Sequence, residues 1–205
     1  FDERTCVTFI SLVRHGQTDW NLAKRIQGSS DIPLNSTGRE QADATGRALA
    51  GGRFDAVFAS PLSRAVDTAR IIAAHLGLGE PQRLPAIAER RYGEAEGLTG
   101  AEILERWPEG TPVPGRETRE QVVERALPAL LELGDAHPGE SLIVVSHGGV
   151  IGSLVRHVTD HALPGPGEVI PNGSVHRFRY GDGRLTLDRF NLGPEDRDLF
   201  TASVL

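Results

Sequence analysis

The sequence predicts an α/β fold, a three-layer α/β/α sandwich on a mostly parallel central sheet. Three observations predict it. Short, nearly unbroken apolar runs read as strands buried on both faces. Between them lie longer segments with a 3.6-residue apolar period, several opening on a capping signal. The two clearest runs, residues 7–13 and 141–145, each end in x-His-Gly.

The elements follow in order. Residues 7–13 are rich in β-branched and apolar side chains and stop at Arg14-His15-Gly16. Thr37 and Glu40 form a capping box, opening a helix to about Leu49 before Gly51-Gly52 ends it. Residues 54–59 are a second strand. Ser60 as N-cap and Pro61 at the first helical position start a helix with Leu62, Ala65, Val66, Ala69, Ile72, Ala73 and Leu76 on one face. Residues 82–87 read as a short strand weakened by Pro85. Thr99 and Glu102 cap a short helix to Trp107, and residues 108–115 form a Pro/Gly-rich loop. Thr118 and Gln121 open a further helix, which Pro128 is expected to kink or divide. Residues 141–145 are the clearest buried strand, followed by a helix over 150–157. Residues 175–180 and 185–191 flank Asp182-Gly183, a strong hairpin signal. No linker, repeat or low-complexity segment interrupts this order, so residues 1–205 read as a single domain.

Composition narrows the function. The 205 residues carry 22 basic and 28 acidic side chains, a formal charge of −6. Lys24 is the sole lysine. Such a chain is a poor binder of nucleic acid or an anionic membrane surface. A lone Cys6 excludes an internal disulfide and a cysteine zinc cluster, and reads as a small core residue. The apolar runs fall far short of the about 20 residues a spanning helix needs. No signal peptide is visible, so a soluble cytoplasmic protein is expected.

The chemistry centres on the strand ends. Ligands of open α/β sheets bind beyond the carboxyl ends of strands. His15 and His147 would face one crevice there if their strands are neighbours. Arg14 adjoins His15, and Arg64 falls in the first turn of a helix. A cation disfavours that end of a helix unless an anion sits beside it. Two histidines, two arginines and a helix N-terminus make a site for a phosphoryl group, with histidine as nucleophile. The arginines neutralise the phosphoryl oxygens, so neither a metal nor another cofactor is required.

These residues sit in recognisable blocks. Leu12-Val-Arg-His-Gly-Gln-Thr18 with Trp20-Asn21, Gln27-Gly28, residues 31–34 (Asp-Ile-Pro-Leu), Gly38-Arg-Glu-Gln-Ala42, Ser60-Pro-Leu-Ser-Arg-Ala65, Glu89 with Tyr92-Gly93, Glu96-Gly97, and Val145-Ser-His-Gly-Gly149 run along nearly the whole chain. In this the chain resembles the histidine phosphatase superfamily, the phosphoglycerate-mutase-like family, and its compact phosphatase branch. The resemblance implies the family's α/β sandwich. It implies that His15 is the nucleophile that becomes phosphohistidine. It implies that Arg14 and Arg64 hold the phosphoryl oxygens, helped by His147. Glu89 would be the general acid, with Glu94 a competing candidate. Asn21, Gln27, Gly28 and Gly148 would line the phosphate pocket, Arg90 and Tyr92 would bind the substrate, and Arg90 and Arg91 would widen the basic mouth.

Members of that family either hydrolyse phosphomonoesters or move phosphoryl groups within phosphoglycerate. The Glu89-Arg90-Arg91-Tyr92-Gly93 segment resembles the mutase form. The short span from Glu89 to His147 lacks the longer basic insert of bisphosphoglycerate-dependent mutases. Its arginines, Arg106, Arg116, Arg119 and Arg125, read as ordinary helix and loop positions. A phosphatase of a small phosphorylated metabolite is therefore the expectation. A 2,3-bisphosphoglycerate-dependent mutase is the alternative. Glucosyl-3-phosphoglycerate is one substrate the resemblance suggests, and a homodimer stays open. A non-catalytic phosphate-binding module is the rival from another class. A metal enzyme built on His157 and His161 has no supporting motif.

Overall fold

The computed structural model describes residues 7–196; Cys6 lies outside them. Six strands form one sheet: β1 (Thr8–Arg14), β2 (Ala56–Ala59), β3 (Gln82–Arg83), β4 (Ser141–Ser146), β5 (Val175–Gly181) and β6 (Arg184–Leu192). Their order is β3-β2-β4-β1-β5-β6. The pairs β2–β3, β2–β4 and β1–β4 are parallel, and β1–β5 and β5–β6 antiparallel. The helices are α1 (Asp19–Leu22), α2 (Ser36–Leu49), α3 (Ser63–Leu76), α4 (Gly100–Arg106), α5 (Arg119–Ala136) and α6 (Gly148–Val158).

Alternation along the central strands makes the three layers. Ile10, Leu12, Leu142 and Val144 pack with Val122, Ala126 and Leu130 of α5 and Ile151, Leu154 and Val155 of α6. Val13, Ile143 and Val145 pack on the opposite face with Leu49 of α2 and Ala65, Ala69 and Ile72 of α3. Each such Leu or Ile, fully buried, contributes about 1.5–3 kcal/mol of transfer free energy. After β1 the chain leaves toward the α2/α3 face; after β4 it leaves toward the α5/α6 face. Their carboxyl ends therefore border a crevice with no connection crossing it.

Several expected boundaries move. The N-cap of α2 is Asn35, not Thr37, because the Asn35 side chain accepts from Gly38 N–H at 2.8 Å. The helix after β2 starts at Ser63, not at Pro61. Asp31 Oδ1 accepts from Ser63 N–H at 2.8 Å, while Ser60 Oγ lies 2.7 Å from His147 Nε2. The expected strand over 82–87 shrinks to Gln82–Arg83, because Pro85 opens a 3₁₀ turn, Pro85–Ile87. Pro128 does not divide α5. It lies on the exposed side of the helix, as does Glu124, the residue whose carbonyl loses its partner. The capping boxes at Thr99 and Thr118 form as expected. Asp182 (φ 51°) and Gly183 (φ 69°) make the hairpin turn. Among the described residues no helix is long and apolar enough to cross a membrane.

Candidate active site

The register of β1 on β4 pairs Arg14 with Ser146, so His15 and His147 emerge side by side. Their ring centroids are 5.1 Å apart at 59°. His15 N–H donates to Ser146 O at 3.0 Å. Its Nδ1 lies 2.6 Å from Gly16 O. A carbonyl only accepts, so Nδ1 carries the proton and Nε2 keeps its lone pair. Burial, then the charges of Arg14 and Arg64, hold His15 well below the usual histidine range. It is therefore neutral near pH 7. Gly16 is required at this turn: a Cβ there would stand 2.1 Å from Gly38 O. Its N–H donates to Thr68 Oγ1, which donates to Arg64 O. His147 is likewise held well below the usual range, by burial first and then by His15, Arg64 and Arg14.

Both arginines are anchored by backbone carbonyls rather than carboxylates. Arg14 Nη1 donates to Ile170 O. Arg64 Nη1 and Nη2 donate to Ser30 O at 2.8 Å and Gly28 O at 2.9 Å. Gly28 supplies its carbonyl from a left-handed conformation, φ 54°. Glu96 fixes this loop, accepting from the N–H groups of Ser29 and Ser30. Arg14 Nε, Arg64 Nε and His147 Nδ1 are buried with no hydrogen-bond partner. A buried polar atom left unpaired costs about 1–3 kcal/mol, so the two guanidinium N–H groups suit an anion that takes their hydrogens.

Glu89 stands on the loop after the Pro85–Ile87 turn. Its Oε1 accepts from Arg90 N–H at 2.8 Å and its Oε2 from Gly149 N–H at 3.3 Å. Burial outweighs these bonds and the two arginines, raising its pKa. A Cβ on Gly149 would sit 2.6 Å from Glu89 Oε1. Tyr92 is pushed up to about 12 by burial and by Glu89, so its hydroxyl stays neutral. Glu94, the competitor, is exposed and off the cavity wall.

A cavity of about 330 Å³ opens here, lined by Arg14, His15, Asn21, Gln27, Gly28, Glu89, Tyr92 and Gly148 among others. Arg64 and His147 lie fully buried behind that wall. Arg90 is the predicted residue that the fold turns away. Its Nε donates to Glu117 O at 2.6 Å and its guanidinium lies 5.3 Å from the Tyr92 ring. Trp20 packs near Gly97 and lines no part of the cavity. His157 and His161 are exposed. Among the described residues no group of three or more His, Cys, Asp or Glu is placed to hold a metal ion.

Sequence reasoning missed five contributors. Asn172 Nδ2 donates to His15 O at 2.9 Å, and Pro171-Asn172-Gly173 signalled only a turn. Glu117, nearly buried, receives a two-pronged bond from Arg125, at 2.7 Å to Oε1 and 3.0 Å to Oε2. Arg125 also donates to the carbonyls of Ala86 and Glu89, so this pair clamps the Glu89 loop. Arg119 and Arg156 line the cavity. The expectation that Arg119 and Arg125 are ordinary positions is thus overturned; Arg116 stays an exposed loop residue, 5.4 Å from the Tyr92 ring. Arg119 carried the signal that exposed Arg64, a cation in the first turn of a helix.

Comparison with known proteins agrees with this geometry. The model of the histidine phosphatase superfamily (branch 1) matches residues 10–193. The chain is 39% identical over 186 residues to the uncharacterized phosphatase PhoE of Bacillus subtilis, covering 91% of this chain and 95% of that protein. A 2,3-bisphosphoglycerate-dependent phosphoglycerate mutase of Cytophaga hutchinsonii is 32% identical, over 72% of this chain and 75% of its own. The solved mycobacterial glucosyl-3-phosphoglycerate phosphatase superposes with a TM-score of 0.78 at 30% identity, covering 89% of this chain and 98% of that one. The sandwich, the paired strand-end histidines and the match over residues 10–193 agree: this chain belongs to the histidine phosphatase superfamily.

Proposed function

We propose that the chain acts as a single-domain, metal-independent phosphomonoesterase on a small phosphorylated metabolite, through phosphohistidine at His15. One observation carries this reading: a neutral, buried His15 with a free Nε2 stands beside the unpartnered buried Nε–H groups of Arg14 and Arg64 and the unpartnered Nδ1 of His147. Nε2 attacks phosphorus as the ester P–O bond breaks. Arg14, Arg64 and His147 hold the phosphoryl oxygens and stabilise the charge that gathers there. Glu89, whose pKa burial raises, gives a proton to the leaving alcohol oxygen. Its carboxylate then takes a proton from water as that water attacks phosphorus. The P–N bond breaks, its electron pair returns to Nε2, and inorganic phosphate leaves. Asn21, Gln27, Gly28 and Gly148 frame the phosphate; Tyr92 borders the acid.

Hydrolysis is favoured over mutase chemistry by the short span between Glu89 and His147 and by the longer match to PhoE than to the mutase. Likeness to the mycobacterial enzyme makes glucosyl-3-phosphoglycerate one substrate to test. A cytoplasmic setting fits such metabolites. The test is phosphate release from a panel of phosphomonoesters, with chelator, for wild type and His15→Ala. Phosphate release that depends on His15 and resists chelator is the expected result. Rapid exchange of 2- and 3-phosphoglycerate with little phosphate release would favour the mutase.

A further inference from the structure

We propose that His176 is a positioning residue for the phosphoryl site: through Ser174 it fixes the Pro171 carbonyl, and with it the loop that aims Arg14 and holds His15. The inference rests on the phosphatase reading for what that site does, and adds a residue that no step of the reaction uses.

His176 stands on β5 opposite Leu12 of β1 and is fully buried. The Phe190 ring packs on it, 5.2 Å between centroids. A buried imidazole needs partners at both ring nitrogens. The adjoining strand supplies one. Val175 pairs with Leu192 but Arg177 with Arg189, so β6 carries one residue more than β5 here, a bulge. Asn191 lies in that bulge at φ 55° and donates its N–H to His176 Nδ1 at 3.1 Å. A backbone N–H only donates, so Nδ1 keeps its lone pair and the ring proton sits on Nε2. Burial, then Arg14, hold His176 down to about 3, which keeps the ring neutral.

His176 Nε2 lies 2.9 Å from Ser174 Oγ. Ser174 gives its hydroxyl hydrogen to Pro171 O at 2.7 Å, so Oγ accepts from Nε2–H. The relay therefore has one direction, from Asn191 N–H through the ring and the hydroxyl to the Pro171 carbonyl. Pro171 lies between the two loop residues that touch the site. Ile170 O receives Arg14 Nη1, and Asn172 Nδ2 donates to His15 O at 2.9 Å. The backbone closes the same loop: Gly173 N–H donates to Arg14 O at 2.9 Å, and Arg14 N–H to Ser174 O at 3.0 Å. A shift of Ile170 O re-aims the Arg14 guanidinium, and a misplacement of about 1 Å in such a group can cost about a hundredfold in rate.

Replacements separate the relay from packing. His176→Gln offers an amide N–H near the place of Nε2 and loses the acceptor for Asn191. His176→Asn offers an amide oxygen near the place of Nδ1 and loses the donor to Ser174. Ser174→Ala keeps the ring and removes the link. Each is measured for thermal midpoint, for kcat and KM on p-nitrophenyl phosphate, and for inhibition by vanadate, a mimic of the pentacoordinate phosphorus at His15. Ser174→Ala and His176→Asn should lower kcat and vanadate affinity about tenfold or more, with KM changed much less. His176→Gln should stay within about threefold of wild type while losing as much thermal midpoint as His176→Asn. On the wild-type chain, long-range ¹⁵N–¹H correlation should place the His176 proton on Nε2. A proton on Nδ1 overturns the relay. So does Ser174→Ala with wild-type kcat and vanadate affinity, or an equal loss of kcat in the Gln and Asn variants. Absence of phosphate release by wild type would refute the phosphatase reading instead, and vanadate affinity across the same variants would still decide the relay.

Discussion

His15 and His147 stand on adjacent strands whose backbones are hydrogen-bonded to each other, whereas Glu89 stands on a loop that side chains hold in place. The nucleophile side takes its precision from sheet register, and its neighbours Arg14 and Arg64 from carbonyls. The acid side takes its precision from the Glu117–Arg125 ion pair and from Gly149. Damage to the first should therefore remove chemistry with the fold intact. Damage to the second should loosen chemistry and stability together.

The largest effect falls on the sheet side. His15→Ala should lower kcat by roughly 10⁴-fold or more, with a thermal midpoint close to wild type, as measured by phosphate release and calorimetry. Next comes Glu89→Gln, expected to cost roughly 10²–10⁴-fold for an alkyl phosphate. The loss should shrink for p-nitrophenyl phosphate, whose leaving group needs no proton. Glu94→Gln should leave both rates near wild type; the reverse pattern would move the acid to Glu94.

Glu117→Ala isolates the loop. With Glu117 only 3% exposed, removing it strands Arg125 and should cost about 3 kcal/mol in denaturant unfolding. A shifted pH profile of kcat should accompany that loss, because Glu89 loses its fixed position. A stable variant with an unchanged profile would show that the loop holds itself. Gly149→Ala meets both sides at once, since its Cβ would press on Glu89 Oε1. Its expected signature is a fall in kcat of about tenfold with little change in KM.

The smallest effects are in the pH dependence of stability. Burial lowers His15, His147 and His176, the last to about 3. The unfolded chain then binds protons that the native state refuses below about pH 6.5. Stability should therefore fall as pH drops from there, each histidine contributing up to about 1.4 kcal/mol per pH unit. Glu89 works in the opposite sense, its raised pKa making it cost stability as it ionises on the way up. Thermal midpoints between pH 5 and 7 read the balance, and a flat profile would mean that the strand-end histidines are solvated.

The same contrast explains what was legible in the sequence. Strand-end histidines are visible because apolar runs and x-His-Gly are local patterns. Arg64 is visible because a cation at a helix start conflicts with the helix dipole. Arg119 shows the same conflict, but a well-formed capping box beside it made the helix look self-sufficient. Glu117 and Asn172 act through contacts distant in sequence, Glu117 with Arg91 N–H beside Glu89 and Asn172 with His15, and nothing local marks them. The cap of α2 moved for a similar reason: Gly38 packs on the His15 turn, where a Cβ would meet Gln17 O at 2.0 Å.

The most direct measurement is rapid acid-free quenching of the chain with a ³²P-labelled phosphomonoester, followed by mapping of the bound label. The account predicts acid-labile, base-stable phosphate on His15, absent from His15→Ala. Label on any other residue, or undiminished turnover by His15→Ala with no label at all, would contradict it.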